Sequence, residues 1–82
     1  MTMKSRFRIH YCVPPENQYL IAEIYDGNEH LGELNTEQDQ LRVVVFPRSE
    51  NRPWDWPLEE FLKCLQVAEA ELKTRSVFFD GQ

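Results

Sequence analysis

The stretch RPWDWPLEEFLKCLQ, Arg52 to Gln66, is where the apolar spacing of this chain changes, and its reading decides the fold. From here Leu58, Phe61, Leu62, Leu65, Ala68 and Leu72 recur at three and four residues, within a stripe of roughly 120° on a helical wheel. This spacing predicts an amphipathic helix that begins just after Asp55 and ends near Thr74 or Arg75. Asp55 stands where an N-cap would, Pro57 suits a first turn, and Glu59 and Glu60 lie where the helix dipole favours negative charge. Glu59 with Lys63 and Glu69 with Lys73 are i, i+4 pairs of the supportive sign. Glu69 falls inside the apolar stripe, and the sequence offers no reason for it.

Upstream of this segment the period is two. Ser5 to Cys12 alternates, with Phe7, Ile9 and Tyr11 on one face and Arg6, Arg8 and His10 on the other, which is a strand. Pro14 and Pro15 take the chain out of the sheet, because neither can donate to a ladder. QYLIAEIYD, residues 18–26, is apolar on both faces and reads as a central strand. Asp26-Gly27-Asn28 is a hairpin turn signal, HLGELN a weaker third strand, and LRVVVFP a fourth, closed by Pro47.

The order predicts one α+β domain over residues 1–82. It is a four-stranded antiparallel meander followed by one helix packed on one face, with SVFFDG a short C-terminal strand or an apolar tail. Phe7, Ile9, Tyr11, Leu20, Ala22, Ile24, Leu41, Val43 and Val45 are expected to meet the helix. Tyr19, Ile21, Tyr25, Val44 and Phe46 are left for the helix-free side, a surplus that needs a cover.

Eighty-two residues build one core, and a chain this short buries only about 60% of its unfolded surface. Its apolar runs are too short to span a bilayer, and MTMKSRFR leads into no apolar signal core, so a soluble cytoplasmic protein is expected. Cys12 and Cys64 are read as reduced thiols, because disulfide-stapled small domains carry more cysteines at tighter spacing.

The net charge of −5 is unevenly spread. Lys4, Arg6 and Arg8 occupy the first fifteen residues without an acid. Glu16, Glu23, Asp26, Glu29, Glu33, Glu37 and Asp39 then follow, through residue 41, without a base. A polyanion is repelled by such a block, so nucleic acid is disfavoured as a partner. The block serves either as solvated charge, with Glu23 paired across strands to Arg6 or Arg8, or as a field for a basic partner.

Trp54 and Trp56 have two readings. One is a hydrophobic staple that fixes the chain's entry into the helix; the other is an exposed aromatic anchor beside Asp55. His10 and Cys12 share a strand face, and His30 or Cys64 would be the third ligand of a metal site. With no CxxC or HExxH, the plainer reading is unremarkable histidines and small apolar thiols. An acid–base pair of His10 and His30 would need both in one concavity. No nucleophile motif and no phosphate-cradling glycine loop is present, so no catalytic residue, cofactor or metal is assigned.

In size, in the acidity concentrated in YDGNEHLGELNTEQD, residues 25–39, and in its surplus of apolar strand residues, the chain resembles the small acidic immunity proteins with which bacteria neutralise their own toxins. The resemblance lies in outline, so it assigns no residue a role. It implies a stoichiometric inhibitor of a basic nuclease-type toxin, without catalysis of its own. The expected function is a non-enzymatic protein-binding module contacting its partner through Tyr19, Tyr25, Glu29, Glu33, Glu37, Asp39, Trp54 and Trp56. The alternative is a homodimer joined through the helix-free sheet face and the VFF tail.

Overall fold

The computed structural model describes residues 6–16, 19–36 and 40–80, the side chains of 76–80 excepted. Glu37 and Asp39 lie outside the described residues. Strands β1 (Phe7–Cys12), β2 (Ile21–Asp26), β3 (Glu29–Asn35) and β4 (Arg42–Val45) form one antiparallel sheet in sequence order, and α1 (Leu58–Asp80) packs across one face. This is the expected ββββα meander. The helix runs on through residues 76–80, so no short C-terminal strand forms there.

Each connection has a local cause. Gly27, the first of two turn residues between β2 and β3, has a φ of +62°, where a type II′ hairpin turn requires glycine. Between β3 and β4 the strands approach closely at Gly32. A Cβ built there would fall on the carbonyl oxygen of Val44, so no side chain fits. In the loop after β4, Glu50 and Asn51 both have positive φ, 63° and 56°. Asparagine tolerates this conformation better than glutamate does.

The pairing of β2 with β3 carries the feature that alternation alone misses. Ile24 pairs with Gly32 and Tyr25 with His30, leaving Leu31 as the extra residue of a bulge. Without it, strict alternation would set Leu31 beside Glu33, away from Leu34. With it, Leu31 and Leu34 both enter the core, and His30 turns to the helix-free face with Glu33.

The core lies between the sheet and α1. Phe7, Leu20, Ala22, Ile24, Leu31 and Leu34 meet Cys64, Ala68 and Leu72, with Ile9, Tyr11, Phe61 and Leu65 at its margin. Fully burying one such side chain stabilises by about 1.5–3 kcal/mol, so these few residues carry most of the fold. The helix begins where the Pro57 carbonyl accepts the Phe61 N–H at 3.1 Å. Pro57 therefore holds the cap position, and Asp55 lies outside the helix. Glu60 accepts the Arg6 backbone N–H at 3.1 Å, tying the first turn to the start of β1. Among the described residues, the ion pairs along α1 are Glu69–Lys73 and Glu71–Arg75, the second in place of Glu59–Lys63.

Candidate functional site

The buried stripe of α1 is Phe61, Cys64, Leu65, Ala68 and Leu72, rotated from the stripe read in the sequence. At about 100° per residue, substituting Cys64 for Leu58 and Leu62 turns the helix toward β1. The contacts agree with this rotation. Phe61 packs on Phe7 with ring centroids 5.7 Å apart, and the Arg75 guanidinium lies 4.5 Å over the Tyr11 ring. Glu60, Cys64, Glu71 and Arg75 thus form the β1 flank. The opposite flank, bearing Leu58, Leu62, Leu65 and Glu69, turns toward β3 and β4. Glu69 sits half-buried on that flank, its carboxylate 3.0 Å from Lys73, which accounts for an acid in the apolar stripe.

The cross-strand register settles which β4 side chains lie on the helix side of the sheet. Val43 pairs with Leu34 and Val45 with Gly32, so both valines share the helix side of the sheet. The helix packs on β1, β2 and β3, and the β4 residues expected to meet it stay uncovered. Leu41 is 40%, Val43 55% and Val45 48% exposed, and on the helix flank Leu58 is 69% and Leu62 45% exposed. These are five large apolar side chains left exposed on the helix side of the sheet and on the helix flank, the kind of apolar exposure that in a monomer is often functional.

The helix-free side carries Ile21, Tyr25, Val44 and Phe46, as the alternation predicts, together with charged residues. Ile21 is only 2% exposed, and the rest of the face is mixed. Arg8, Tyr25 and His30 form one cross-strand row, and His10, Glu23, Glu33 and Val44 the next. Tyr25 stacks on His30 at 4.6 Å and lies 5.0 Å beneath the Arg8 guanidinium, while Phe46 meets the His30 ring edge-on at 5.0 Å. These aromatics pack on one another within the chain. His30 Nε2 is buried with no hydrogen-bond partner among the described residues.

Trp54 and Trp56 clamp the loop between β4 and α1 to the end of the sheet. The Trp54 indole donates to the Phe46 carbonyl at 2.9 Å, and the Trp56 indole donates to the Asp26 carboxylate at 2.8 Å. The rings continue as a stack, with Trp54 on Trp56 at 5.2 Å and Trp56 on Phe61 at 4.6 Å. Arg48 covers Trp54 at 4.8 Å. Both indole N–H groups are satisfied inside the molecule, as the staple reading requires.

Among the described residues, Glu23, Asp26, Glu29 and Glu33 of the acidic block have separate partners. Glu29 is held by Arg48 at 2.8 Å and Arg52 at 3.3 Å. The hydrogen bond and positive charge of Arg48 hold its carboxyl below the usual range. Glu33 lies on the helix-free face, accepting from the Asn35 amide at 3.0 Å. Glu23 accepts from His10 Nδ1 at 3.0 Å instead of meeting Arg6 or Arg8. Arg6 stands 3.9 Å from Asp26, and Arg8 donates to the Gly27 carbonyl at 3.3 Å. Tyr19 is half-buried just ahead of β2, apart from the exposed strip.

His10 and His30 sit two strands and one register step apart, roughly 12 Å by strand geometry, too far for one acid–base pair. Cys12 lies on the helix-free face and Cys64 under the helix, both as free thiols. Burial pushes the Cys64 thiol up to about 11. Neither His30 nor Cys64 joins His10 and Cys12; Glu23 does, with one ligand atom from each of the three within 4.8 Å of the others. Among the described residues no helix is long and apolar enough to cross a membrane. No protein-family model, no curated protein and no solved structure matches this chain.

Proposed function

We propose that this chain is a non-enzymatic protein-binding module, and that its docking surface is the slot beside α1 above β4. The observation that carries the reading is the exposure of Leu41, Val43, Val45, Leu58 and Leu62 on one side of the sheet. Four strands at about 4.8 Å spacing make a face roughly 15–20 Å wide. One helix, about 10 Å across, lies over β1, β2 and β3 and leaves the β4 edge uncovered. The open edge has β4 as floor and the Leu58–Leu62 flank as wall. An amphipathic helix laid there would bury the strip as the apolar centre of an interface, recognised through anchors at i, i+3, i+4 and i+7. A standard interface takes about 800 Å² per partner, so the strip would supply its core and the surrounding charges its rim.

The most concrete form of this reading is an immunity-type inhibitor acting in the cytoplasm, with a helix of a basic toxin domain as occupant. Glu69, on the flank that walls the slot, would add attraction at encounter, an effect on association rate more than on lifetime. The test is titration of purified basic toxin domains encoded beside the gene. Val45→Lys and Leu62→Lys are expected to weaken binding by at least about 30-fold, as hot-spot losses do, with the far-ultraviolet circular dichroism unchanged. Unaltered affinity in both variants would refute this surface. A second copy of the chain is the other occupant that the strip admits, since β4 is an edge strand with no neighbour on its outer side among the described residues. Light scattering across a concentration series distinguishes the two, because a second copy requires a mass twice that of the chain.

A further inference from the structure

The helix-free face carries a separate chemistry. Alternation along β1 sets His10 and Cys12 on this face two residues apart, and the register sets Glu23 directly across from His10 and Glu33 directly across from Glu23. Two carboxylates facing each other on neighbouring strands destabilise the sheet, and the Asn35 amide that donates to Glu33 carries no charge to offset its own. His10 Nδ1 already points at Glu23, 3.0 Å from its oxygen. Nitrogen, sulfur and carboxylate oxygen thus converge where a positive charge would relieve a repulsion.

We infer that His10, Cys12 and Glu23 form a binding site for a zinc-class divalent cation on the helix-free face, with Glu33 or water in the fourth position. The donor set excludes magnesium and calcium, which take oxygen ligands, and suits a borderline-soft ion that accepts imidazole, thiolate and carboxylate together. Tetrahedral zinc with bonds of about 2.0–2.3 Å sets its ligands roughly 3.4–3.7 Å apart. The three atoms lie within 4.8 Å of one another, so closure takes side-chain rotation of roughly 1 Å and leaves the backbone in place. Asn35, bonded to Glu33, would orient the fourth ligand as outer-shell groups do. The ion would bridge β1, an edge strand, to the centre of the sheet. This site lies across the sheet from the docking slot and stands or falls independently of it.

The experiment is titration of the full chain with Co²⁺, read by its thiolate-to-cobalt charge-transfer absorption, followed by displacement with Zn²⁺. One equivalent per chain is expected, with the charge-transfer band lost in Cys12→Ser and retained in Cys64→Ala. His10→Ala and Glu23→Gln should each weaken binding by at least about tenfold, the lower bound for loss of even an outer-shell group. Because the His10 side chain is 66% exposed, His10→Ala leaves the fold intact and keeps the test valid should a cysteine variant misfold. Zn²⁺ should also raise the thermal midpoint of the wild type and leave that of His10→Ala unmoved. No thiolate band, a band surviving Cys12→Ser, or half an equivalent per chain would overturn the site.

Discussion

The rotation of α1 is what uncovers the strip, and a pair of leucine substitutions reads it directly. Leu72 is 0% exposed and Leu62 45% exposed, although the sequence places both in the same apolar stripe. Leu72→Ala removes three buried carbons and leaves a cavity in a core too small to collapse around it, a loss of about 3–5 kcal/mol. Leu62→Ala removes carbons that already meet water on one side and leaves no enclosed void, and alanine is the better helix former, so the loss is about 1 kcal/mol or less. In a domain of this size each kcal/mol moves the thermal midpoint by about 4–8 °C. Leu72→Ala should fall by more than about 12 °C, or lose its folded baseline, while Leu62→Ala stays within about 8 °C of the wild type. Circular dichroism melts and urea titrations on the same samples decide it. Equal losses, or a larger loss for Leu62→Ala, would mean that α1 is seated on the stripe read from the sequence and that the slot does not exist.

Three further outcomes follow from single sites. Gly32→Ala forces a methyl group onto the Val44 carbonyl, so it should cost about 1–3 kcal/mol and raise amide exchange selectively along β3 and β4; normal stability would disprove the close approach. Glu50→Gly relieves a left-handed residue and should gain about 0.5–1 kcal/mol in chemical denaturation, whereas a loss would show that its contact with Arg52 outweighs the strain. Cys64 keeps its proton in the folded protein up to about 11, against 9.0 for a free thiol. Stability should therefore fall as pH rises through that window, by at most about 1.4 kcal/mol per pH unit, and Cys64→Ala should remove that part of the slope. An unchanged slope would place the thiol in water.

Strand order, the Asp26-Gly27 turn and the existence of the helix are all legible in the sequence, because each rests on a local pattern. What escaped it is lateral and rotational. The bulge at Leu31 exchanges the faces of His30 and Leu31, and a single inserted residue leaves no periodic trace in a seven-residue strand. A cysteine in a helical stripe carries no strong apolar signal, yet the place of Cys64 in the buried stripe turns Leu58 and Leu62 outward. Val43 and Val45 do lie on the helix side, as alternation requires, but no local signal says over which strands a helix will settle. The continuation of α1 to Asp80 was likewise hidden, since the apolar residues of SVFFDG fit a strand as well as a helix. Of the six described residues expected to bind a partner, Tyr25, Glu29, Glu33, Trp54 and Trp56 make the internal contacts given above, and none of the six is among the exposed apolar residues beside α1.

Val44 and Val45 are adjacent in the chain and point to opposite faces of the same edge strand, so they test the docking slot against a control one residue away. A photo-crosslinking amino acid placed at 45 and, separately, at 44 in living cells, followed by mass analysis of the adducts, asks which face meets another protein. The slot requires adducts from position 45, and from 62 across the groove, with none from 44. Adducts from 44 alone, or equal yields from both positions, would contradict it.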